Sequence, residues 1–158
     1  MLLAIDPGPT HSALVLYDAD VKLCSHYRTA NVWIRSFLRT YDAAKDDVLV
    51  VEKIASYGMA VGAEVFQTCV ESGRFWQEWT RRDLLAYWMT RADVKLAICG
   101  QTRAKDANIR TALIDRFGGP EAIRKGGPLY KVAGDSWAAL AIAVAWTDTQ
   151  QPRESPGK

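Results

Sequence analysis

Apolar residues along the chain come in short runs broken at regular intervals. Leu2-Leu3-Ala4-Ile5 is a continuous apolar run stopped by Asp6-Pro7-Gly8-Pro9, which predicts a short buried strand ending in a turn. Ser12 to Tyr17 reads as a second strand and 21–29 as a third, with a tight turn at Asp18-Ala19-Asp20 making them a hairpin. Trp33, Phe37, Leu38 and Tyr41 then recur at helical spacing over 32–44, with Asn31 placed to cap that helix. Val48 to Val51 is again purely aliphatic and ends at Glu52. A strand of that kind belongs in the middle of a sheet covered on both faces.

Beyond a glycine-containing loop at 55–58, residues 60–80 predict a long helix with Val61, Val65, Thr68, Cys69, Phe75, Trp76 and Trp79 as its apolar positions. Gly62 and Gly73 fall inside it, each costing about 1 kcal/mol against alanine and each permitting close approach of another helix. Residues 84–89 read as a strand or as more helix, and 93–98 as a short helical or extended piece. Residues 104–117 predict a helix stopped by Gly118-Gly119-Pro120, and Gly126-Gly127-Pro128 a loop. An alanine-rich helix follows from Ser136 to Trp146, opened by Asp135. The tail 148–158 carries two prolines, one glycine and no apolar pattern, which predicts disorder. Three strands followed by alternating helices and strands predict an α/β domain over 1–147: a mixed five-stranded sheet flanked by helices.

The 158 residues suit one domain, and 49% hydrophobic content fills a core. Some of the six tryptophans are expected at an interface, where the indole is favoured. A net charge of +2 argues against a general polyanion binder but leaves room for local basic clusters. Those are Arg81, Arg82 and Arg91; Arg103, Lys105 and Arg110; and Arg124 and Lys125. Cys24, Cys69 and Cys99 are widely spaced and odd in number, which argues against zinc and disulfides; Cys69 and Cys99 are expected to be buried. There is no signal-peptide pattern and no apolar run of membrane-spanning length, so a cytoplasmic protein is expected. His11 and His26 lack ligand spacing.

Three carboxylates sit at element ends. Asp6 closes the first strand, Glu52 the fourth, and Asp135 opens the last helix. Charge at the rim of a core is costly unless paired or used on a cation. Converging acids would suit Mg²⁺ or Mn²⁺, which take oxygen ligands. Each acid also has a bland reading, as turn former, strand end or helix N-cap.

Ala4-Ile5-Asp6-Pro7-Gly8, Leu49-Val50-Val51-Glu52 and Asp135-Ser136-Trp137-Ala138-Ala139-Leu140-Ala141-Ile142-Ala143, in this order, resemble the motifs of RuvC-like Holliday junction resolvases. The tryptophan between the acid and the alanine run is similar to the bacteriophage and prophage type. The resemblance spans roughly 1–147 and implies a ribonuclease H-like fold. It also implies a DNA endonuclease that cuts four-way junctions and other branched DNA as a homodimer, using two Mg²⁺ or Mn²⁺ ions held by Asp6, Glu52 and Asp135. The segment 100–110 resembles the family's basic segment, making Lys105 the catalytic lysine and Arg103 and Arg110 DNA contacts. Tyr57 stands where related enzymes place an aromatic wedge. The helix over 60–80 is the expected dimer interface. One position departs from the pattern: Ala138 stands where the family carries a fourth acid, so that three carboxylates serve, or Asp106 or Glu71 swings in, or the site is weakened. Two rival readings are a non-catalytic junction-binding protein on this fold and an actin-like ATPase. The latter lacks its second phosphate loop here.

Overall fold

A computed structural model describes residues 1–56, 58 and 60–150, without the side chains of Leu23 and Cys24. Tyr57 and the segment 151–158 lie outside the described residues. The strands are β1 (Leu2–Asp6), β2 (His11–Asp18), β3 (Leu23–Ala30), β4 (Val48–Lys53) and β5 (Leu85–Thr90). The helices are α1 (Asn31–Thr40), α2 (Ala63–Thr80), α3 (Arg91–Cys99), α4 (Asp106–Arg116) and α5 (Ser136–Gln150). A 3-10 turn at Gly119–Ile123 follows α4.

The sheet order is β3-β2-β1-β4-β5, with β1, β2 and β3 antiparallel and β1, β4 and β5 parallel. This is the mixed five-stranded sheet of the ribonuclease H-like fold. Strand alternation sorts the core into two layers. Leu3, Ile5, Leu49 and Val51 point to Phe75 and Trp79 of α2 and to Ile34 and Leu38 of α1. Leu2, Ala4, Val50 and Met89 point the other way, to α3, α4 and α5. Helix α5 is apolar all round and buries every residue from Ala139 to Ala145. Its alanines let its backbone sit close to both the sheet and α3.

Several expectations need correction. Asn31 does not cap α1: the N-cap is Ala30, with no side-chain cap, and Asn31 is buried. Its side chain is drawn instead into the turn after β1. Residues 84–89 settle as an edge strand and 93–98 as helix. A capping box between Thr90 and Asp93 starts that helix, and its threonine-to-aspartate spacing stood in the sequence unread. Helix α2 begins at Ala63 rather than 60, leaving Val61 outside it and exposed. Cys69 is exposed and Cys99 half-buried, because the buried stripe of α2 runs through Thr68, Glu71, Ser72, Phe75 and Trp79. Trp33, assigned to the apolar face of α1, is 67% exposed, since Ile34 and Leu38 make that face. Asp148 to Gln150 are the last turn of α5, not tail, with Asp148 paired to Arg116.

Candidate metal centre

The β-sheet register assembles the site. Asp6 is paired with Ala13 of β2, and Ala13 with Arg28 of β3. On the other side Ile5 pairs with Val51, so the next step sets Glu52 beside Asp6, and Glu52 itself pairs with Met89. Arg28, Ala13, Asp6, Glu52 and Met89 thus form one lateral row on the face covered by α5. Asp6 ends β1, Glu52 is the last but one residue of the parallel β4, and Asp135 sits one residue before α5 on the same face.

The turn that presents Asp6 is held from below. Asn31 donates from Nδ2 to the Gly8 carbonyl at 2.9 Å and accepts from Ser12 Oγ at 2.7 Å, while the Gly8 amide donates to Ser12 Oγ at 3.0 Å. Ser12 and Asn31 are buried. Gly8 is required by space: a Cβ there would stand 2.3 Å from the His11 carbonyl oxygen.

Asp6 and Glu52 form a close pair of desolvated carboxyls. Burial pushes Asp6 up to about 7, helped by the charges of Glu52 and Asp135 and by a hydrogen bond to Glu52, against the pull of Arg91. Burial raises Glu52 too, opposed by Arg91 and by the bond from Asp6. The two carboxyls therefore hold a proton between them well above the ordinary carboxylate range. Two half-buried, desolvated carboxyls sharing one proton are a pair that a hard cation would suit by replacing it.

Two arginines flank the acids, and sequence reasoning missed both roles. Arg91, the first residue of α3, places Nη1 3.7 Å from Glu52 Oε2 and donates from Nη2 to Asp106 Oδ1 at 2.7 Å. Arg28 donates from Nε to Asp135 Oδ2 at 2.7 Å. An open cleft of about 270 Å³ holds Asp6, Asp135 and Arg28 together with Gly8, Thr10 and His11. Asp135 thus shares the cleft with Asp6 but is turned to Arg28. Among the described residues no three acid, histidine or cysteine side chains are grouped closely enough to grip one ion. Arg28 was readable in principle by counting back from the hairpin turn. Arg91 was not, because its role depends on how α3 follows an edge strand.

The other sequence candidates are placed as follows. Lys105 is exposed at the N-cap of α4, next to Asp106, and Arg103 is exposed in the turn before it. Arg110 is exposed one turn on, its guanidinium 5.2 Å from the centre of the Trp137 ring. Tyr57 falls outside the described residues. Ala138 is half-buried, one turn into α5 from Asp135. Glu71, one of the acids considered for its place, is buried on the opposite layer between Arg35 and Arg74. Asp106, the other, is 75% exposed and held by Arg91. Arg81 and Arg124 are paired with Glu78 and Glu121, and Arg82 holds the Leu38 and Tyr41 carbonyls.

No protein-family profile matches the chain, and no curated protein sequence does. Solved structures do. A Thermus thermophilus RuvC structure superposes with a TM-score of 0.65 at 17% identity, covering 93% of each chain. T. thermophilus RuvC in complex with Holliday junction substrate superposes with a TM-score of 0.61 at 16% identity, over 94% of this chain and 93% of that one. Over nearly its whole length, the chain has the ribonuclease H-like fold of the RuvC resolvase structures.

Proposed function

We propose that this chain is a divalent-metal-dependent endonuclease that cleaves Holliday junctions and other branched DNA. The observation that carries the reading is the juxtaposition of Asp6 and Glu52, both desolvated, at the ends of adjacent parallel strands on the face where α5 begins. The RuvC fold supports the same substrate class, since one neighbour was solved with a Holliday junction.

Asp6 and Glu52 would hold Mg²⁺ or Mn²⁺ between them, and Asp135 would complete the shell once turned from Arg28. Two such ions supply an activated water and a Lewis acid for the leaving oxygen. The chain's own groups do the rest. The Asn31–Ser12–Gly8 network fixes the turn that aims Asp6. Arg91 fixes Glu52 and keeps Asp106 beside it. Lys105, Arg103 and Arg110, all exposed along the start of α4, would supply positive charge for the DNA backbone, while Lys95 of α3 is the lysine whose charge reaches Glu52. Paired cuts across a two-fold junction call for a homodimer.

Cleavage of a labelled four-way junction by the purified protein tests this, with Mg²⁺, Mn²⁺ or EDTA. Symmetric cuts that vanish in EDTA and in Asp6→Asn are expected. Junction binding without cleavage in any divalent metal would replace this reading with a non-catalytic junction binder, which the absent acid at Ala138 favours.

A further inference from the structure

We propose that Arg28 is a positioning residue of this site, an internal counter-cation that holds Asp135 off the carboxylate pair and exchanges it for a DNA phosphate when the site is loaded. The inference rests on the metal-nuclease reading and deepens it.

The geometry carries it in three steps. Arg28 belongs to the same lateral row as Asp6 and Glu52, but Ala13 stands between. Ala13 is fully buried and offers only a methyl, and the Arg28 guanidinium reaches Asp135, which lines the cleft with Asp6.

The second step is charge. Asp6, Glu52 and Asp135 bring three carboxylates, and Arg28 and Arg91 stand against two of them. With alanine at 138, two arginines offset part of this negative charge, although Arg91 is shared with Asp106. A divalent cation that recruits Asp135 must displace a guanidinium, which lowers metal affinity in the absence of DNA.

The third step is where Arg28 goes. Its side chain is 56% exposed and that of Asp135 51%, so the pair is wet and parting it costs little. A guanidinium released at the mouth of this cleft is well suited to a phosphodiester, which it recognises with planar, paired donors. Metal and DNA then favour each other through one side chain, since each removes an obstacle to the other.

The test uses binding, not turnover. Mn²⁺ affinity of the free protein is measured from the electron paramagnetic resonance signal of unbound Mn²⁺, for wild type, Arg28→Ala and Arg28→Lys. Junction affinity is measured for the same proteins in Ca²⁺ across a salt series. Arg28→Ala is expected to bind Mn²⁺ about fivefold more tightly without DNA, because one positive charge is gone from beside Asp135. The same variant should bind the junction more weakly, with a log–log salt slope shallower by about one. Arg28→Lys should restore the slope. Unchanged Mn²⁺ affinity in Arg28→Ala, or an unchanged slope, overturns the exchange. Failure of the underlying site reads differently: Mn²⁺ binding by wild type that Asp6→Asn and Glu52→Gln do not weaken would remove the metal centre itself, whatever Arg28 does.

Discussion

Asp6 carries an unusual linkage. Its folded-state value of about 7 lies above the 3.8 of the free side chain. Between these values the folded chain binds more protons than the unfolded one, so stability falls as pH rises through the window from 3.8 to 7. Removing the charge should therefore help. Asp6→Asn in EDTA is expected to melt above wild type at pH 8, by the equivalent of roughly 1–3 kcal/mol, with the gap closing towards pH 4. A variant that melts below wild type at pH 8 would show that the carboxylate is paired rather than strained. The same burial means that ions must displace a proton from the pair, so metal affinity should rise with pH through about 7. At Ala138 it is an added charge that should strengthen metal binding. It lies three residues after Asp135 on one helix face. Ala138→Asp should lower the Mg²⁺ concentration needed for half-maximal cleavage. It should also melt lower than wild type in EDTA and recover when Mg²⁺ is added. An unchanged metal requirement would mean that this turn of α5 does not face the ions.

At the scale of elements, the site depends on the β1–β2 turn more than on any helix. Asn31 ties the start of α1 to the β1–β2 turn at Gly8 and to Ser12 of β2. Asn31→Ala leaves the Ser12 hydroxyl and the Gly8 carbonyl without their partner, and is expected to cost about 2–3 kcal/mol in urea unfolding. Asn31→Asp keeps the acceptor for Ser12 and loses the donor to Gly8, so its loss should be smaller; equal losses would deny the network its two-sided role. Much of this architecture was legible beforehand. The aliphatic runs at 2–5 and 48–51 marked β1 and β4, and the acid that ends each marked the rim of the core, because a charge following a buried strand has few places to go. What was not legible was pairing across distance. Asn31 carries the signature of a helix cap, and nothing local tells that Ser12 competes for it. Arg28 and Arg91 look like solvated surface until the register puts one in the row of Asp6 and the other at the end of β5. Cys69 lies on the exposed face of α2 because that helix has apolar residues on both faces, and composition alone does not say which face meets the sheet.

That second apolar face bears on the whole molecule. Helix α2 packs Phe75 and Trp79 into the core, yet Phe66 is 62% exposed and Val70 51% exposed. They stand at i and i+4, so they share a side of the helix, and Gly73 continues the stripe one turn on with open space where a side chain would be. Exposed apolar stripes of this kind mark contact surfaces, and a glycine in one lets a second backbone come close. A homodimer formed through this helix would hold two carboxylate rows in fixed relation, as paired cuts across a junction require. Phe66→Asp puts a charge at the centre of the stripe without touching the core. Sedimentation equilibrium should show wild type as a dimer and the variant as a monomer with an unchanged melting curve at low protein concentration. In a supercoil-extruded cruciform the dimer should release linear product, while the monomer should leave nicked circles, because its second cut is no longer coupled to the first. A variant that stays dimeric, or a monomer that still linearises the plasmid, would place the interface elsewhere or make the two cuts independent.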